Sequence, residues 1–137
     1  MDDSTPACRR ISVLIIDDNL DSADSLARCL RVGSGLDVRV ACDSQTGLKS
    51  AMQRPPDAIV CDIGLPQLDG LQLARELIAN LPVKPLLIAV TGYGGTYAET
   101  QALQAGFDYY LVKPADPFVI EKLILGADQR PLPPSAR

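Results

Sequence analysis

The sequence has no histidine and only four cysteines among its 137 residues. The cysteines are Cys8, Cys29, Cys42 and Cys61, and no two of them form a Cys-x-x-Cys pair. Imidazoles and paired thiolates are the usual ligands of structural zinc, and an imidazole is the base of a serine-type catalytic triad. These absences argue against a zinc site and against a histidine-based triad.

A basic excess and a long apolar run are missing as well. The 13 basic and 17 acidic residues give a net charge of -4, whereas an electrostatic grip on nucleic acid usually needs a basic face. No apolar run approaches the roughly 20 residues of a membrane span, and the N-terminal "MDDSTPACRR" lacks the apolar core of a signal peptide. We therefore expect no direct nucleic-acid contact and no membrane span. Cys42 and Cys61 lie in apolar runs, which predicts reduced, core-filling thiols and a cytoplasmic protein.

Apolar runs and helical patterns alternate five times along the chain. The predicted strands are "ISVLII", "DVRVAC", "DAIVCD", "PLLIAV" and "YYLV". The predicted helices are "DSADSLARCLRV", "SQTGLKSAMQ" with Ser44 as its N-cap, "LQLARELIAN", "TYAETQALQAG" and "PFVIEKLIL". Strict alternation predicts an α/β fold, a parallel sheet with helices on both faces and right-handed crossovers. One domain is expected over residues 11–125, between an N-terminal tail at 1–10 and a proline-rich C-terminal tail at 126–137.

Polar residues stand at the ends of four of the five predicted strands. Asp17 and Asp18 follow the first strand, Asp62 ends the third, Thr91 follows the fourth and Lys113 follows the fifth. Any one of them alone is well explained as a turn residue, a helix cap or a solvated lysine. The carboxyl ends of parallel strands lie at one edge of the sheet, however, and ligands bind there. The five residues together therefore predict a site at that edge.

The three carboxylates of this set predict a bound cation. Two unit charges about 4 Å apart repel by roughly 4 kcal/mol at an effective dielectric of 20, which is large beside a net stability of about 5–15 kcal/mol. The donors are oxygen only, and such sites suit Mg²⁺, or alternatively Mn²⁺. Mg²⁺ takes few protein carboxylates, so one aspartate is left to act as a nucleophile, and carboxylates do form aspartyl phosphates.

The motifs, in this order, resemble the receiver domain of two-component response regulators. They are "DD" after the first strand, "D-x-x-L-P-x-x-D-G" from Asp62, "T-G" after the fourth strand and "K-P" after the fifth. The resemblance runs from about Ile11 to Leu125 and implies a five-stranded, doubly wound fold of the flavodoxin-like kind. It implies that Asp62 accepts a phosphoryl group from the phosphohistidine of a histidine kinase or a histidine phosphotransfer protein.

The resemblance also implies a role for each site residue. Asp17, Asp18 and Asp62 would hold Mg²⁺ with help from the backbone carbonyl of Gly64, and Lys113 would pair with the phosphoryl oxygens.

Two further residues would form a switch. Thr91 would move to hydrogen-bond a phosphoryl oxygen, and Tyr110 would turn inward, which would change a surface read by a downstream protein. The Lys113-Pro114 peptide bond is typically cis in such domains, and X-Pro is where a cis bond is inexpensive.

Several alternatives bear on this interpretation. A dehalogenase-type phosphatase requires a second aspartate at the position of Gly64. The segment "TGYGGTY" resembles a dinucleotide-binding loop, but Tyr97 stands where that glycine pattern requires its last glycine. A pseudo-receiver, which acts by contact alone, usually lacks one of the site residues that this chain keeps. A stand-alone receiver and a receiver excised from a hybrid histidine kinase both fit. Gly64 and Tyr93 stand where the family controls attack of water on the acyl phosphate.

Overall fold

The computed structural model describes residues 10–63, 70–92 and 96–129, with only the backbone described at 96, 97 and 127–129. The five predicted strand-helix pairs are confirmed. In chain order the elements are β1 (Ser12–Ile16), α1 (Leu20–Ser34), β2 (Asp37–Ala41), α2 (Ser44–Gln53), β3 (Ala58–Asp62), α3 (Gly70–Asn80), β4 (Leu86–Thr91), α4 (Thr96–Ala105), β5 (Tyr109–Val112) and α5 (Pro117–Gln129).

The strands form one parallel sheet in the order β2-β1-β3-β4-β5. Helices cover both faces, so the predicted doubly wound, flavodoxin-like α/β fold is confirmed. Strand order reverses between β1 and β3, which are neighbours in the sheet although α1, β2 and α2 separate them in the chain. This reversal is where open α/β sheets bind ligands.

Two apolar clusters fill the space between the sheet and its helices. Alternate β1 residues belong to different clusters: Leu14 and Ile16 to one, Val13 and Ile15 to the other. The first cluster includes buried residues of α2, α3 and α4, and the second includes buried residues of α1 and α5. Because both faces of β1 are buried, its continuous apolar run "VLII" follows directly from its place inside the sheet.

The helix ends agree with the sequence prediction in part. Helix α1 ends at Ser34, two residues beyond its predicted end at Val32, and Gly35, at φ 65°, caps it by donating its N–H to Arg31 O. The prediction of Ser44 as the N-cap of α2 is wrong. Asp43 is the cap, and its carboxylate accepts the Thr46 N–H at 2.7 Å. A carboxylate also interacts favourably with the positive end of the helix dipole.

One more boundary and one burial prediction differ from expectation. Helix α5 continues to Gln129, beyond the predicted end at Leu125. Cys61 is buried as predicted, whereas Cys42 is exposed, because β2 is an edge strand that ends at Ala41. Cys29, Cys42 and Cys61 are all free thiols. Within the described residues, the helices are too short or too polar to cross a bilayer.

Candidate functional site

Three carboxylates meet at the carboxyl ends of β1 and β3. Ile16 lies opposite Cys61 in the pairing of these strands, so the next residues, Asp17 and Asp62, come side by side. One carboxylate oxygen from each of Asp17, Asp18 and Asp62 lies within 4.8 Å of the others. Asp17 and Asp62 are both buried, at 8% exposure, and Asp18 is exposed.

Asp17 is held in place by the start of α1. Its Oδ1 accepts a hydrogen bond from the Asn19 N–H at 2.9 Å, and Asn19 also caps α1 through its side chain and the Ser22 N–H. Burial raises the pKa of the Asp17 carboxyl, against the lowering effects of the Asn19 hydrogen bond and the Lys113 charge. The nearby Asp62 and Asp18 charges raise this pKa further. A cation bound beside Asp17 would favour its ionised form and would lower this pKa, against the effects of burial and of the neighbouring negative charges.

Lys113 supplies a positive charge to the cluster from the end of β5. Its Nζ lies 2.8 Å from Asp62 Oδ2 and 3.9 Å from Asp17 Oδ2. The hydrogen bond to Asp62 raises the pKa of the Lys113 ammonium, against the opposing effect of burial. One ammonium therefore neutralises only part of a cluster that carries three carboxylates.

Thr91 ends β4 beside the carboxylates and is 4% exposed. Its carbonyl accepts the Lys113 N–H at 2.7 Å, and the preceding carbonyl, of Val90, accepts the Ile63 N–H at 3.0 Å. The end of β4 is thus tied by its backbone to the residue after Asp62 and to Lys113.

Tyr110 lies in β5 opposite Ala89 of β4 and is half-buried against the apolar cluster that α2, α3 and α4 cover. The Lys113-Pro114 peptide bond is cis, in agreement with what the family resemblance implies. Gly64 and Tyr93 lie outside the described residues, so the predictions for them stay predictions.

A cavity of about 650 Å³ opens beside the carboxylates, between α1 and the segment that joins β5 to α5. Asp17, Asp62 and Lys113 line one end of it. The α1 wall includes the short side chains of Ser22, Ser25 and Cys29, together with Asp21 and Leu26. The residue pattern alone did not predict this cavity. The sequence feature that could have indicated the cavity is the set of small residues that recur every three or four positions, and so share one face of α1.

The donor set fits a hard divalent cation. Asp17, Asp18 and Asp62 offer oxygen atoms only, two of these side chains are fixed by burial, and the exposed third can adjust. Mg²⁺ and Ca²⁺ both take oxygen ligands and differ in the geometry and the number of waters they keep.

Comparison with known proteins places this geometry in a family. Residues 13–125 match the family model of the response regulator receiver domain. The transcriptional regulatory protein PrrA of Mycobacterium bovis is 39% identical over 112 residues, which cover 82% of this chain and 46% of PrrA. The chain therefore spans less than half the length of that relative.

Two solved structures extend the comparison. A response regulator of Burkholderia pseudomallei, solved with a phosphorylated aspartic acid, a calcium ion and citrate, is 30% identical with a TM-score of 0.75, and the match covers 87% of this chain and 73% of that one. A CheY-like receiver domain protein of Methanospirillum hungatei JF-1 is 28% identical with a TM-score of 0.77, and covers 88% and 96% of the two chains. This chain therefore belongs to the response regulator receiver domain family of two-component signalling.

Proposed function

We propose that this chain accepts a phosphoryl group on Asp62 in a Mg²⁺-dependent reaction. The observation that carries the proposal is the position of Asp62, which lies within 4.8 Å of two further carboxylates and 2.8 Å from the Lys113 ammonium. The phosphorylated aspartic acid and the calcium ion of the related Burkholderia protein support it. Histidine kinases or histidine phosphotransfer proteins are the proposed donors.

Asp62 is the nucleophile of the proposed transfer. One of its oxygens attacks the phosphorus of a phosphohistidine, so a P–O bond forms and the P–N bond breaks, and the electron pair of that bond returns to the leaving imidazole nitrogen. The product is an aspartyl phosphate on this chain. Lys113 is already bound to Asp62 Oδ2, where its charge can stabilise the phosphoryl oxygens. The chain acts on itself here and turns over no separate substrate.

Asp17, Asp18 and Asp62 would hold Mg²⁺, with the Gly64 carbonyl as the further ligand that the family resemblance implies, and the cation would supply charge neutralisation for the phosphoryl oxygens. Mn²⁺ is the proposed substitute. Asp17 and its hydrogen bond from Asn19 fix one ligand oxygen before any cation arrives. Because Asp17 has a raised pKa, cation binding competes with its proton, and affinity for the cation falls with decreasing pH.

Thr91 and Tyr110 form the proposed switch. The hydroxyl of Thr91 would hydrogen-bond a phosphoryl oxygen, and Tyr110, already half-buried, would fill the space behind it. The surface of α4, β5 and α5 would change as a result and would be read by a downstream protein, with no direct contact to nucleic acid. A cytoplasmic location and a receiver domain at 11–125 complete the proposal, with flanking tails at 1–10 and 126–137, of which residues 126–129 continue helix α5. A receiver that belongs to a hybrid histidine kinase, and a pseudo-receiver that is never phosphorylated, are the alternatives.

Replacement of the acceptor tests the proposed function. Incubation with acetyl phosphate and Mg²⁺ should add one phosphoryl group to the parent protein and none to Asp62→Asn, as measured by intact-protein mass spectrometry. Asp24→Asn removes an exposed carboxylate of α1 outside the cluster and should label like the parent. The same labelled species on Asp62→Asn would show that another residue is the acceptor, and an unlabelled parent would favour the pseudo-receiver.

A further inference from the structure

Two helical glycines pack against the residues that flank the buried site carboxylates. Gly47, in α2, faces Ile16, the residue before Asp17. Gly70, the first residue of α3, faces Ile63, the residue after Asp62. Each helix therefore approaches the sheet closely at a point one residue away from a carboxylate.

The space at Gly47 is too small for any side chain. A Cβ added there would lie 2.6 Å from Ile16 Cδ1 and 2.9 Å from Ile16 Cγ1, which is closer than carbon atoms pack. Gly47 has no positive φ that would itself require glycine, and glycine is unfavourable within a helix. The close approach to Ile16 is therefore the reason for glycine at this position.

Ile16 has little room to yield. It is fully buried at 0% exposure and pairs with Ala41 of β2 on one side and Cys61 of β3 on the other. The next residue, Asp17, donates its N–H to Ala41 O at 3.0 Å. A methyl group at Gly47 would therefore displace either α2 or the end of β1 that bears Asp17, since protein interiors are close-packed.

We propose that Gly47 is a positioning residue for the carboxylate cluster. Because Gly47 has no side chain, Ile16 can pack against α2 in the conformation that keeps Asp17 beside Asp62. The inference deepens the proposed function, on whose cation site it rests. Gly70 makes a similar contact, but its added Cβ would lie 2.9 Å from the Ile63 backbone Cα. That clash cannot be relieved by trimming a side chain, so Gly47 offers the cleaner test.

Cation affinity is the measurement that tests the proposal. Titration of the full chain with Mn²⁺, followed by water-proton relaxation, gives the dissociation constant without any phosphoryl donor. Gly47→Ala should raise this constant by about tenfold, which is typical when a group that supports metal ligands is altered. Gly126→Ala is the matched control, because this helical glycine of α5 has nothing within 4 Å of an added Cβ. It should bind Mn²⁺ like the parent.

Trimming Ile16 should restore much of the lost affinity. Ile16→Val removes Cδ1, the atom nearest to the added methyl, but keeps an atom at the Cγ1 position, so rescue in Gly47→Ala/Ile16→Val should be partial. If Gly47→Ala does not fold, Ile16→Val is compared with the double variant, which should bind Mn²⁺ more weakly. Equal affinity in that comparison overturns the proposal.

Two results separate this inference from the proposed function. If folded Gly47→Ala is destabilised in urea melts but binds Mn²⁺ with parental affinity, Gly47 serves packing alone and the positioning role is wrong. If the parent itself binds no Mn²⁺, the cation site fails, and the inference fails with it.

Discussion

At the scale of single residues, adjacent aspartates have different surroundings. Asp17 is buried, accepts a hydrogen bond from Asn19 and has a raised pKa, whereas Asp18 is exposed. In the proposed cation site, the buried residue would give a fixed ligand oxygen, and the exposed one would give a ligand that can adjust to the cation. A pair of identical residues thus combines rigidity with adaptability because the chain turns away from the sheet between them.

The raised pKa of Asp17 predicts a pH-dependent cost in the absence of divalent cations. A carboxyl with a raised folded-state pKa binds more protons in the native than in the unfolded state, so its contribution to stability falls as pH rises above its ordinary value of 3.8. In chelator, Asp17→Asn should therefore gain stability over the parent as pH rises from about 4 to 7. Urea unfolding of both proteins across this range measures the difference in stability. A constant or shrinking difference would contradict the assigned cause.

At the scale of secondary-structure elements, the end of β4 connects the acceptor to β5. The carbonyls of Val90 and Thr91 accept hydrogen bonds from Ile63 and Lys113, which lie on either side of the site. Tyr110 pairs with β4 two residues before Thr91, at Ala89. We therefore expect the proposed movement of Thr91 to reach β5 through these backbone contacts.

Loss of the Thr91 hydroxyl should separate phosphorylation from switching. Thr91→Ala should still accept a phosphoryl group from acetyl phosphate, because Asp62 and Lys113 remain. The chemical-shift changes around Tyr110 that accompany phosphorylation should be much smaller than in the parent, as NMR would show. Thr91→Ser, which keeps the hydroxyl, should retain them. Full shift changes around Tyr110 in phosphorylated Thr91→Ala would refute the coupling.

At the scale of the whole molecule, repulsion within the carboxylate cluster lowers the stability of the fold. Three carboxylates face one ammonium at the edge of the sheet, and a repulsion of roughly 4 kcal/mol per close pair is a large part of a domain's net stability. The two apolar clusters on the faces of the sheet offset this cost. Divalent cation binding should then change the stability of the entire fold.

Thermal melts of Asp18→Asn test this balance. In chelator the variant should be more stable than the parent, because one repelling charge is gone. Mg²⁺ should stabilise the parent by about 2.7 kcal/mol when free metal is about 100-fold above its dissociation constant, and the variant by much less, because a ligand is gone. The two effects have opposite signs, so salt screening cannot imitate both.

The control for these melts is Asp24→Asn at matched ionic strength, which should respond to Mg²⁺ like the parent. If the thermal unfolding midpoint of the parent does not change with Mg²⁺, the result argues against a metal site. So does an Asp18→Asn protein that is destabilised in chelator and still responds fully to Mg²⁺.

The sequence by itself determined the order of elements and the residues at the strand ends. Apolar runs and helical periodicity depend on local burial, so each of the five pairs was visible without tertiary information. Polar residues at strand termini, such as Asp62 and Lys113, were visible for the same reason, since they break an apolar run.

Tertiary structure alone decided what those residues contact. Nothing in the pattern of "ISVLII" states that β1 lies beside β3 rather than β2 alone, and the family resemblance was needed to expect it. The exposure of Cys42, the cavity along α1 and the contact of Gly47 with Ile16 depend on atoms far apart in the chain. Preferences for helix and strand depend on short segments of sequence. Distances between segments follow only from how the sheet and its helices pack.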